Sequence, residues 1–154
     1  FESRKTQNLF SLHGAFHIYK DGKICKKITQ QSDKAIYEKL EDVLNKDSQD
    51  IVCVFQNTNK MDVIKDHEYL QNCFNKLDEL SGNMVIIGSS LANNDNHIFT
   101  RINNSRINKV YISALRKEKE DIQKRAEVVI SKKEICLFDA ETISYEMPDE
   151  ENGN

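Results

Sequence analysis

The chain has 154 residues, of which 31% are charged and 38% apolar, and its formal net charge is -3. That length suffices for one domain with a real core, and the charge balance lacks the basic excess or stripe of a nucleic-acid binder. No apolar run approaches the ~18 residues of a membrane span, and Phe1 to Lys5 lacks the apolar region of a signal peptide. A soluble, cytoplasmic protein without nucleic-acid or membrane partners is therefore expected. The four cysteines, Cys25, Cys53, Cys73 and Cys136, show no CxxC spacing, which fits reduced thiols rather than a zinc site. Four scattered histidines give no ligand spacing either, so no metal is assigned.

In chain order, the first apolar run is Leu9 to Leu12, read as a strand that His13-Gly14 closes. Ala15 to Tyr19 and Lys23 to Ile28 flank Asp21-Gly22, a strong hairpin signal. Ser32 or Asp33 can cap a helix running to about Asn45, with Ile36, Leu40, Val43 and Leu44 at helical spacing. Ile51 to Phe55 is a short, unbroken apolar run typical of a buried parallel strand, and Gln56 to Lys60 a polar loop. Asp66 can cap the next helix, whose apolar stripe is Tyr69, Leu70, Cys73, Phe74, Leu77 and Leu80. Ser81-Gly82-Asn83 stops it.

Met84 to Ile87 predicts another buried strand, and His97 to about Ser105 a short helix capped by Asp95 or Asn96. Lys109 to Leu115 is a strand and Glu118 to about Ile130 a helix with Ile122, Ala126 and Val129 inward. Glu134 to Phe138 is the last strand. The mixed-sign block Arg116 to Lys119 reads as a solvated helix face. Residues 1–147 read as a single α/β domain, and 148–154 as a disordered acidic tail. The alternation predicts a Rossmann-like, mostly parallel sheet with helices on both faces and an added β-hairpin.

Open parallel sheets bind ligands beyond the carboxyl ends of their strands. The residues there are His13 and Gly14, Gln56 to Asn59, Gly88-Ser89-Ser90 with Asp95 and His97 beyond the turn, then Ser113 and Asp139. His13 can serve as a general base near neutral pH, or hydrogen-bond a neighbouring loop. Gly88 permits close approach of a ligand, and the Ser89 and Ser90 hydroxyls can hold a ribose or phosphate beside a helix N-terminus. A plain strand-to-helix turn with a serine cap accounts for them equally well. Asp95 can accept ribose hydroxyls or cap a helix. Gly88 to Ala92 also approximates a GxSxG nucleophile elbow, but the only later histidine, His97, is too close in sequence for a hydrolase triad.

Leu12-His13-Gly14, then Ile86 to Leu91 followed by Asn94 to Ile98, resembles the sirtuin-like family. More closely it is similar to a bacterial branch of uncharacterised proteins in which an LHG segment precedes a GxSLxxxDxHI segment. The resemblance spans about Asn8 to Ser113. It implies that His13 acts as base at the nicotinamide ribose. It also implies that Gly14, Gly88, Ser89, Ser90, Asp95 and His97 belong to an NAD site, with NAD as substrate and no metal. Sirtuin deacylases carry a four-cysteine zinc module after the histidine, whereas Ala15 to Asp50 contains only Cys25. Hydrolysis of NAD is therefore expected rather than deacylation. The family's Gly-rich phosphate loop precedes the histidine, and this chain begins twelve residues before His13 without an initiator Met. A C-terminal fragment of a longer domain is expected, inactive or weakly binding alone, with an exposed sheet edge able to self-associate. The alternative is a non-catalytic nucleotide-sensing or assembly module.

Overall fold

The computed structural model describes residues 8–29, 34–54 and 59–144. The chain divides into two compact units, Phe1–Asp78 and Glu79–Asn154. The expected caps Ser32 and Asp33, residues Phe55 to Thr58 and the acidic tail from Pro148 lie outside the described residues.

The first unit is built on the expected hairpin. Strands β1 (Gly14–Asp21) and β2 (Ile24–Lys27) pair antiparallel around Gly22-Lys23. Helix α1 (Ile36–Leu44) follows, with its start tied by the Ala35 N–H donating to the Glu38 carboxylate at 2.8 Å. That is one half of a capping box, since alanine offers no side-chain acceptor. Strand β3 (Gln49–Cys53) then returns along the free edge of β1, giving the order β2-β1-β3.

Several expectations fail in this unit. β3 runs antiparallel to β1 instead of joining a parallel sheet; the hairpin leaves one edge of β1 open, and β3 satisfies its hydrogen bonds there. Residues 9–12 form no strand. Leu9 is 76% exposed, and the Ser11 N–H donates to the Tyr69 hydroxyl at 3.2 Å instead of to a ladder partner. A helix absent from the expectation, α2 (Lys60–Asp66), ends at Asp66, so that residue closes a helix and caps none. The next helix, α3 (Glu68–Glu79), buries the anticipated Tyr69, Leu70, Cys73, Phe74 and Leu77.

The second unit is the parallel α/β layer. Strands β4 (Ser81–Ile86), β5 (Arg106–Ala114) and β6 (Glu134–Asp139) pair parallel in chain order. Ser81 to Asn83, expected to stop a helix, instead begin β4 beside Arg106 to Lys109. Helices α4 (Asn96–Asn104) and α5 (Lys119–Val129) connect the strands. Phe99 and Ile102 of α4 and Ile122, Ala126 and Val129 of α5 pack on Val110, Ile112 and Ala114 in one core. Each fully buried aliphatic side chain of this kind contributes about 1.5–3 kcal/mol. This core face holds the strand ends in register, and the site is built on those ends.

All four cysteines are free thiols. Among the described residues no helix is long and apolar enough to cross a membrane.

Candidate functional site

Beyond β4 the chain must leave the sheet. Gly88 does this at φ 69°, a left-handed conformation that costs glycine little. Its N–H donates to the Ser113 Oγ at 3.2 Å, which ties the end of β4 to the buried end of β5. The Ser89 Oγ accepts from the Leu91 N–H at 3.2 Å. Leu91 itself is left-handed at φ 52° and 1% exposed. An L-residue pays for that backbone, and the buried isobutyl group compensates by anchoring the loop in the core. On the outer side, the Arg125 Nη1 donates to the Ser90 carbonyl at 3.1 Å. The loop is thus fastened to β5, to the core and to α5.

A cleft of about 500 Å³ opens over the carboxyl ends of the parallel strands, lined by Gly88, Ser89 and Ser90 on one side and Glu118, Asp121 and Arg125 on the other. A Cβ placed on Gly88 would meet nothing within 4 Å, so the space in front of it is open. Glu118 and Asp121 bracket the start of α5 and place negative charge where the helix N-terminus is positive. That lowers the attraction for phosphate and supplies hydrogen-bond acceptors. Past this mouth, the Arg116 Nε reaches Asp139 at 2.7 Å and Glu141 at 3.8 Å. Asp139 also accepts from the Glu141 N–H at 3.0 Å. The Arg116 guanidinium, then the Glu141 N–H, hold its carboxyl below the usual range.

Of the residues expected from the sequence, Gly88, Ser89, Ser90 and Ser113 share this cleft. Asp95 and His97 lie in the same unit without lining it: Asp95 ends a 3₁₀ turn (Asn93–Asp95), and His97 sits in the first turn of α4. Asp95 stands at the helix N-cap, but its carboxylate makes no capping hydrogen bond. Because α4 begins only at Asn96, the strand-turn-helix geometry of a nucleophile elbow does not form around Ser90. For the same reason α4 brings no N-terminus to the cleft; α5 does.

His13 and Gly14 belong to the first unit. His13 does not close a strand; it stands in the turn that opens β1, where the Gly14 N–H donates to the Ser11 carbonyl at 3.0 Å. Gly14 adopts φ 77°, and a Cβ there would lie 1.9 Å from the Val52 carbonyl oxygen. The close approach of β3 therefore accounts for this glycine without a ligand. Glu118, Asp121 and Arg125 were not singled out from the sequence. Their signal is the three-then-four spacing after β5, which places them on one face of a helix at the mouth of the sheet.

A family model described as a domain of unknown function, DUF4917, matches residues 1–145. The chain belongs to this family. No curated protein and no solved structure gives a significant match. Membership agrees with the expected relationship to proteins of unknown function and assigns the family no chemistry.

Proposed function

We propose that this domain is a Rossmann-like, sirtuin-like module that takes up NAD and serves its hydrolysis. The observation that carries the reading is the cleft over the carboxyl ends of β4, β5 and β6, with Gly88-Ser89-Ser90 as one wall. Ligands of open α/β sheets bind at this edge, and the volume falls within the roughly 300–1,000 Å³ of small-molecule sites.

The residues present fit one part of NAD better than the rest. Ribose hydroxyls donate hydrogen bonds, and Glu118, Asp121 and the two serines offer acceptors. A pyrophosphate would meet two carboxylates and one guanidinium, a weak anchor. The cleft is thus suited to the adenosine end, with the phosphates leaving it. When bound, NAD supplies a cationic nicotinamide leaving group. In hydrolysis, water attacks the ribose C1′, the glycosidic C–N bond breaks, and nicotinamide departs with its electron pair. The attacking water loses a proton, which the resemblance assigns to His13.

The experiment incubates the chain, and a longer parent where one is encoded, with NAD and follows nicotinamide release. Release that stops in His13→Ala, with ADP-ribose binding retained, supports the enzyme reading. Failure of a folded chain to bind either NAD or ADP-ribose sinks the proposal. A non-catalytic nucleotide sensor is the second reading. What favours it is that the lining offers acceptors suited to ribose hydroxyls at the adenosine end, which binding alone requires. It predicts binding without nicotinamide release.

A further inference from the structure

We infer that the free edge of β4 pairs antiparallel with the same edge of a second copy of this chain, joining two three-stranded parallel sheets into one of six strands. This pairing is independent of nucleotide binding at the cleft. In the order β4-β5-β6, β4 bonds to β5 alone, so its outer row of N–H and C=O groups has no strand partner among the described residues. Alternate residues of the strand divide between its two faces. Met84 and Ile86 pack against the core. Val85 on the opposite face and Ile87, just past the strand, are 58% and 53% exposed. The strand is thus apolar on both faces, like the covered strands of larger parallel sheets, yet it stands at the margin of this one.

The charge pattern points to a second copy as the occupant. A two-fold axis brings the same surface of each copy together, so a charge on the edge would meet its own sign nearby. From Leu80 to Asn94 the sequence carries no charged residue and no proline. Every antiparallel register of β4 on itself is therefore free of like-charge repulsion. The other edge strands differ: β2 carries Lys26 and Lys27, β3 carries Asp50, and β6 begins at Glu134 and ends at Asp139. Charged side chains, lysine above all, are how natural edges are guarded against such pairing. The shift of register at Gly82-Asn83 leaves Asn83 to Ile86 regularly paired with β5, so the apolar stretch stays straight enough to template another strand. A foreign strand would need a charge or a pocket to select it, and this edge offers no charge. Main-chain bonds supply the affinity of strand addition, and the Val85 side chains of the two copies come close across the new pair. The area is small, which sets the dimer in the micromolar range.

The test is sedimentation velocity of the full chain from micromolar to millimolar concentration, with amide hydrogen exchange at the two extremes. Expected is a reversible rise from monomer to a species of twice the mass. Alternate amides of β4 should gain at least about tenfold protection in the dimer, with those of β6 unchanged. Asn83→Lys and Val85→Lys each place a like charge at an exposed position of the edge. Each should raise the dissociation constant at least about tenfold. Asn83→Lys exchanges one exposed polar residue for another, which keeps the test open if Val85→Lys folds poorly. A chain that stays monomeric at millimolar concentration overturns the inference, and so does a dimer that the folded lysine variants leave unchanged. A dimer that forms without altering exchange in β4 overturns edge pairing, whatever the variants do.

Discussion

Gly14→Ala should be among the most damaging single-methyl additions in the first unit. The new Cβ would sit 1.9 Å from the Val52 carbonyl oxygen, 2.7 Å from its carbonyl carbon and 2.9 Å from the Cys53 Cα. A carbon–oxygen contact settles near 3.3 Å, so β1 and β3 must separate locally by more than about 1 Å. The Gly14–Cys53 pairing cannot survive that. Overpacking of a tight site costs about 1–3 kcal/mol, and a left-handed alanine adds about 1–2 kcal/mol. The expected loss is therefore roughly 2–5 kcal/mol, a large share of the ~5–15 kcal/mol that stabilises a typical domain. Gly22→Ala is the control: its φ is 61°, but a Cβ there meets nothing within 4 Å, so only the backbone penalty of about 1–2 kcal/mol applies. The chain has no tryptophan, so urea unfolding is best followed by far-UV circular dichroism and tyrosine fluorescence. If Gly14→Ala proves no more costly than Gly22→Ala, the close approach of β3 is not what demands glycine at position 14, and a role in ligand binding regains ground.

Leu91→Ala should cost about 2–5 kcal/mol by opening a cavity in the second core. Leu91→Gly should cost no more than that, reversing the usual order, because glycine relieves the left-handed backbone; thermal melts of the pair decide it. Ser113→Ala removes the acceptor for the Gly88 N–H and should cost about 1–2 kcal/mol, with weaker ADP-ribose binding; Ser113→Thr, which keeps the hydroxyl, should restore much of both. His67 carries a buried Nδ1 without a hydrogen-bond partner. Burial, and then the charge of Lys20, push its pKa below the usual 6.5. The unfolded chain then binds the proton first, so this contribution is complete above about pH 6.5 and is lost as pH falls through the folded-state value. His67→Gln should flatten that part of the stability–pH curve, and an unchanged slope would contradict it.

Local signals in the sequence translated well. Asp21-Gly22 sits at the turn of the β1–β2 hairpin, the stripe from Tyr69 to Leu77 is the buried face of α3, and the apolar runs of β4, β5 and β6 form a parallel sheet. Pairing partners were not legible. Ile51-Val52-Cys53 is apolar on both faces, so it carries no alternation to show which strand it joins or in which direction. Leu9 to Leu12 has the composition of a strand, but its Ser11 N–H is satisfied by Tyr69, a partner distant in sequence. One wall of the cleft, Gly88-Ser89-Ser90, was visible as small residues after a strand. The opposite wall was hidden because Glu118, Asp121 and Arg125 have the composition of an ordinary solvated helix face. Only the placement of α5 at the mouth of the sheet gives those charges a site to act on.

The most direct measurement is an amide-resolved NMR titration of the chain with ADP-ribose. Expected are saturable shifts at Gly88, Ser89, Ser113 and the first turn of α5, with the amides of α4's outer face unmoved. No shifts at saturating ligand, or shifts confined to residues away from the carboxyl ends of β4, β5 and β6, would contradict nucleotide binding at this cleft.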